Sequence, residues 1–183
     1  MPVPSADFKK AVKALPEKDK EALLLRIVRK DAELYETLAF ELLPNVTLED
    51  VFEEHSERIH DIMHSTSGRF LTKSLTKNLR KAIKEIARFK RITKDVKAET
   101  DLHLYLLKLI FDNFTGSFES PYKSFYVATA RFTAKTAQLI LKKLHEDYHV
   151  EYQSEIDNYL EQLRSRRRYN ELSFDLPRQL IED

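Results

Sequence analysis

A chain of 183 residues with 42% hydrophobic side chains is long enough to bury a core and too apolar for wholesale disorder. Two glycines and six prolines leave few sites for tight hairpins, and the dominance of Leu, Lys, Glu and Ala favours helices. The lack of cysteine excludes disulfides, thiolate metal sites and a cysteine nucleophile. With no apolar leader and no apolar run of membrane-spanning length, the chain reads as cytoplasmic and without a membrane partner. The formal net charge of +1 hides a reversal between neighbouring segments. Residues 31–61 carry ten acidic side chains against Arg58 alone, whereas residues 69–97 carry eleven basic ones against Glu85 and Asp95. Opposed fields of this kind either neutralise each other inside the fold or present a patch to a partner.

In chain order, Ser5 predicts the cap of a helix running to about Leu15, and Pro16 stops it and suits the first position of the next. Residues 17–30 and 31–43 repeat helical apolar spacing, as one bent helix or a pair. Thr47, with Asp50 three residues on, predicts a capping box for a helix to about Ser65, and Thr66-Ser67-Gly68 a turn. The next helix, Arg69 to about Thr93, places Leu71, Leu75, Leu79, Ala82, Ile83, Ile86 and Phe89 in one apolar stripe. A sixth helix spans about Ala98 to Phe114. Ser120-Pro121 then predicts the start of a long seventh helix reaching about Tyr148, and an eighth runs from about Val150 to Arg168. Residues 1–168 thus read as one all-α domain, a helical bundle or short helical array of seven to eight helices. Residues 169–183 read as a tail with a few docking groups, Phe174, Leu176 and Leu180.

On the wheel of the fifth helix, Arg69, Lys73, Lys77, Arg80, Lys81, Lys84, Arg88 and Arg91 fall within an arc of roughly 120°, opposite the leucine stripe. The acidic fourth helix, joined by a short turn, is expected antiparallel on the stripe, leaving the basic arc facing away. Lys90 and Lys94 are then expected to pair with Glu53, Glu57 or Asp61. The arc itself has three readings: a solvated face, a surface covered by helix 31–43 or a second copy of the chain, or a site for a polyanion or other partner.

Two histidine pairs, His60/His64 and His145/His149, have the four-residue spacing of ligands on one helix face. Glu57-x-x-His60 and Glu146-x-x-His149 resemble the paired elements of ferritin-like di-iron bundles, a resemblance that implies an iron site in the bundle interior. The wheel opposes that, because Glu57, His60 and His64 point away from the apolar face, and a surface zinc site is the other metal reading. Glu54-x-x-Glu57 resembles the first carboxylate pair of the all-α nucleotide pyrophosphohydrolases, but the following helix offers lysines where a second pair is needed. His55 and His103 lie nearer apolar faces and read as packed, hydrogen-bonded histidines. Aromatics from Tyr105 to Phe132 read as core at a helix-to-helix turn. The small residues from Ala128 to Ala137 make the seventh helix slender, which permits close helix approach or a pocket.

The expected function is binding rather than catalysis, without a cofactor: an adaptor or regulatory protein whose charged helix faces meet a protein partner, a second copy or nucleic acid. The alternative is a zinc- or iron-dependent enzyme built on Glu57, His60, His64, His145 and His149.

Overall fold

The computed structural model describes residues 3–66 and 71–181, and those residues contain helices and their connections without a strand. The chain divides into two compact units, residues 1–46 and 47–183. In the first, α1 (Ala6–Ala14) is capped by the Ser5 hydroxyl, which accepts the Phe8 N–H at 3.2 Å. Pro16 stands one position before α2 (Glu17–Val28) rather than at its first residue. Asp31 accepts the N–H groups of Glu33 and Leu34 at 3.0 and 3.1 Å and opens α3 (Ala32–Leu42), so residues 17–43 form two helices. None of the residues of α1, α2 or α3 is buried, and Leu24, Leu25 and Ile27 are exposed.

The second unit comprises α4 (Leu48–His64), α5 (Leu71–Thr93), α6 (Val96–Asn113), α7 (Ser124–Lys143) and α8 (Glu146–Arg164). The capping box at Thr47 forms in both directions, with Asp50 N–H on the Thr47 hydroxyl and Thr47 N–H on the Asp50 carboxylate. Ser67 and Gly68 of the expected turn, and Arg69 of the basic arc, lie outside the described residues. Lys94 closes α5 in the left-handed region at φ 56°, where glycine is usual. Asp95 at once caps α6 through the Ala98 N–H at 2.8 Å, so α6 begins two residues earlier than its periodicity predicts.

The seventh helix departs furthest from expectation. It starts at Ser124, and the Ser120 hydroxyl instead accepts the Tyr122 N–H at 3.3 Å and the Thr72 hydroxyl at 2.9 Å. It ends at Lys143 because Leu144 is extended and His145 caps α8, its Nδ1 accepting the Asp147 N–H at 3.4 Å. No glycine or proline marks that break, and a histidine cap is a weak sequence signal. The expected eighth helix accordingly begins four residues early and ends at Arg164, with a separate 3-10 turn at Arg167–Glu171.

Successive helices of this unit alternate in direction. Contacts Ser65–Asn78, Arg58–Glu85 and Phe52–Phe89 run α4 antiparallel to α5, while Thr72–Ser120 and Thr76–Ser124 set α5 parallel to α7. Helix α5 packs against α4, α6 and α7. Most of its stripe is enclosed, with Leu75, Leu79, Ala82, Ile86 and Phe89 buried and each large side chain contributing about 1.5–3 kcal/mol of burial, whereas Leu71 is exposed and Ile83 half-buried. Most of the aromatic cluster is core, with Phe111, Phe118, Phe125, Tyr126 and Phe132 buried and Tyr122 exposed. The Tyr126 hydroxyl donates to the Leu163 carbonyl at 2.6 Å, tying α7 to the end of α8. Along α8, Leu176 and Leu180 of the tail are buried, and Asp157 accepts the Leu180 N–H at 2.6 Å. No helix among the described residues is long and apolar enough to cross a membrane.

Charge pairing across the α4–α5 hairpin joins the minority charges of each helix. Glu85, the only acid of α5, receives Arg58 at 3.1 Å and has the His55 Nδ1 3.0 Å from the same oxygen. Lys90 pairs with Glu99 of α6 at 2.8 Å instead of reaching the acids of α4. The buried His55 also packs edge-on against Phe89, with ring centroids 5.4 Å apart. The His55 imidazole chiefly, with the Arg58 guanidinium, holds the Glu85 carboxyl down at about 2, against an ordinary 4.5. A depressed carboxyl stabilises the fold fully above its unfolded value and loses that contribution as the pH falls toward 2. Glu85→Gln is therefore expected to cost on the order of 2–3 kcal/mol at pH 7. In urea unfolding at a series of pH values, the gap to wild type should close between about pH 5 and 2. Groups that titrate alike in both proteins cancel from that difference.

Candidate polyanion-binding face

Burial of the leucine stripe turns the opposite side of α5 outward. Lys73, Lys77, Arg80, Lys81, Lys84 and Arg91 are exposed and Arg88 is half-buried. Among the described residues, no carboxylate lies within ion-pair distance of Lys73, Lys77, Arg80, Lys81 or Lys84, while Arg88 and Arg91 have interactions of their own. The sequence places these five at helical spacing, and the fold leaves them to solvent.

Helix α7 extends this face. Between Glu119 and Glu146 the sequence holds no acid, and Lys123, Arg131 and Lys135 recur at multiples of four residues along one line. All three are exposed. Parallel packing on α5, through the hydroxyl contacts Thr72–Ser120 at 2.9 Å and Thr76–Ser124 at 3.1 Å, sets the two basic rows side by side. Between them runs an open groove of about 600 Å³, lined by Arg80 and Ile83 of α5, by His103 of α6, and by α7 from Lys123 to Lys135. Val127 and Ala128 form much of its α7 wall, so the slender stretch of α7 does border a cavity. No acidic side chain lines it. Two of its cations already have neighbours in the tail: Lys123 lies 3.9 Å from Glu171, and the Arg131 guanidinium sits 5.3 Å from the Phe174 ring centroid.

His103 is in the groove wall as a packed histidine. Its ring stacks on Phe132 at 4.8 Å between centroids, and its Nδ1 lies 2.9 Å from the Thr136 hydroxyl. That hydroxyl donates its own proton to the Phe132 carbonyl at 3.0 Å, so its oxygen accepts from the His103 Nδ1–H. Nε2 is then the bare nitrogen, an acceptor with no partner among the described residues. Burial first, and then the charges of Lys90 and Lys135, push His103 down to about 4, so the ring is neutral at physiological pH.

The histidine pairs are not brought into a common site. His60 and His64 are exposed on α4, their rings 4.1 Å apart, and the His64 Nδ1 lies 3.0 Å from the His60 carbonyl. His145 caps α8, and the His149 Nε2 lies 3.2 Å from the Leu144 carbonyl. Glu57 is exposed, and among the described residues no three potential ligand side chains converge on one point. The five residues Glu57, His60, His64, His145 and His149 therefore form no shared metal centre here. The arginine cluster after α8 is engaged locally, Arg166 with Glu119 at 3.2 Å and Arg168 with Glu171 at 2.9 Å. No family model matches the chain, and no curated protein or solved structure matches it either.

Lys123, Arg131 and Lys135 are what reading the fifth helix alone misses. The acid-free run from residue 120 to residue 145 carries the signal. Two outcomes follow for His103. Its ring resonances should titrate with a midpoint near 4 in a pH series followed by NMR, rather than near the ordinary 6.5. Thr136→Val keeps the shape but removes the acceptor for Nδ1–H, and should lower stability by about 1–3 kcal/mol in urea unfolding.

Proposed function

We propose that this protein is a non-catalytic binding module that holds the sugar–phosphate backbone of a nucleic acid on the outer face of α5 and α7. One observation carries the reading. Eight exposed cations of α5 and α7, Lys73, Lys77, Arg80, Lys81, Lys84, Lys123, Arg131 and Lys135, share one side of the unit, and all but Lys123 lack a carboxylate partner among the described residues. A solvated helix face normally interleaves both signs, as this chain does elsewhere. Here acids are missing from two adjacent helices apart from Glu85, which is turned inward to Arg58 and His55. Helix α5 alone, at 23 residues, extends about 35 Å, enough to follow several phosphates. The overall charge of +1 is no obstacle to such local action, because the field within a Debye length, about 8–10 Å, is set by the patch. A cysteine-free chain suits a reducing compartment, and a cytoplasmic location belongs to the same proposal.

The test is fluorescence anisotropy of labelled single-stranded and duplex oligonucleotides, titrated at several salt concentrations. Wild type is expected to bind at low salt, with log affinity falling linearly in log salt by about 0.7–0.9 per phosphate neutralised. Lys77→Glu, Arg80→Glu, Lys84→Glu and Lys135→Glu together should abolish binding while the circular dichroism spectrum stays helical. Displacement of the oligonucleotide by polyglutamate at equal charge concentration would move the partner class to acidic protein surfaces, and no binding at low salt would remove the proposal.

A further inference from the structure

The groove between α5 and α7 differs from the rest of the basic face. Its wall is mainly apolar, Ile83, Val127 and Ala128 backed by Phe132, while its cations come from both helices. A phosphate backbone has no use for an apolar floor, since phosphates stay at the hydrated rim. The occupant that fits both parts is flat and apolar, carries hydrogen-bonding edges, and is tethered to phosphates. That describes a nucleobase removed from its stack. At about 600 Å³ the groove has room for a base together with its sugar. The bare Nε2 of His103 offers an acceptor to a base N–H, and Ser124, whose hydroxyl meets Thr76 at 3.1 Å, adds a polar group at the other end.

Resting on the phosphate-binding reading above, we infer that the protein selects single-stranded over duplex nucleic acid, by seating one unstacked base in the α5–α7 groove between Arg80 on one wall and Lys135 on the other. A paired base cannot enter without first leaving its stack, which costs a few kcal/mol that a single strand has largely forgone. Every natural base carries an N–H donor for His103, so the preference is for strand form and not for sequence.

The decisive comparison uses three labelled oligonucleotides of equal phosphate count: a single strand, the same strand made of abasic residues, and the duplex. They are titrated with the full-length protein, with Ala128→Phe, which fills the groove and keeps every cation, and with Val127→Phe as an independent filling variant. Wild type should favour the single strand over both the abasic strand and the duplex by tenfold or more. Either filled variant that retains the wild-type melting temperature should lose that advantage, its single-strand affinity falling to the abasic level with an unchanged salt slope. Equal wild-type affinity for all three probes would overturn the base-seating inference while leaving the phosphate-binding face intact. A filled, folded variant that still discriminates would do the same. Failure of every probe to bind at low salt would remove both.

Discussion

Burial of one side of α5 is the constraint from which the rest of the second unit follows. Leu75, Leu79, Ala82, Ile86 and Phe89 have almost no exposed area, and α4, α6 and α7 converge on them. Once that stripe is enclosed, the helix has no rotational freedom left, and its lysines and arginines must face water. Glu85 fixes the same rotation by a different means. As the one acid on α5, it meets Arg58 and His55 at the hairpin seam, and turning α5 about its axis would strand all three. Apolar burial and the Glu85 contact therefore specify one orientation, the agreement between levels expected of a sequence with a well-separated native state.

Between α4 and the middle of α5, exposed charges of opposite sign stay on separate helix faces. The acids of α4 at Glu49, Glu53, Glu54, Glu57 and Asp61 remain exposed, and so do the central cations of α5. The Arg58–Glu85 pair between the helices joins the minority charge of each. A desolvated seam tolerates few charges and only with partners close at hand, whereas surplus like charges are cheapest in water. The histidines follow the same economy of place. His55 and His103, on apolar faces, are packed against Phe89 and Phe132, and His60, His64 and His145 sit on exposed faces.

Most of the architecture is legible from residue order. The caps at Ser5 and Thr47 mark two helix starts, and the 3.6-residue period of α5 identifies both its buried and its basic side, whereas the Asp95 cap of α6 escapes the periodicity. What escapes is instructive. Ser120-Pro121 carries the composition of a helix start, yet the Ser120 hydroxyl is claimed by Thr72, a residue 48 positions away that no local window contains. The break at Leu144 rests on a histidine cap with no glycine or proline near it. Half of the basic face is visible in α5 alone; the other half depends on α7 lying parallel beside it, a fact of tertiary pairing. The acid-free composition of α7 is present in the sequence, but only adjacency to α5 gives it meaning.

Contacts of the tail reach the edge of the groove. Glu171 and Phe174 meet Lys123 and Arg131, while Leu176 and Leu180 anchor the segment along α8. A ligand that draws on Lys123 and Arg131 competes with these contacts, and by reciprocity a more firmly seated tail weakens the ligand by the same factor as the ligand weakens the tail. On the proposed reading, Glu171 and Phe174 make the C-terminal segment an internal competitor, present at fixed stoichiometry, whose seating and the cations of the face would jointly set the affinity.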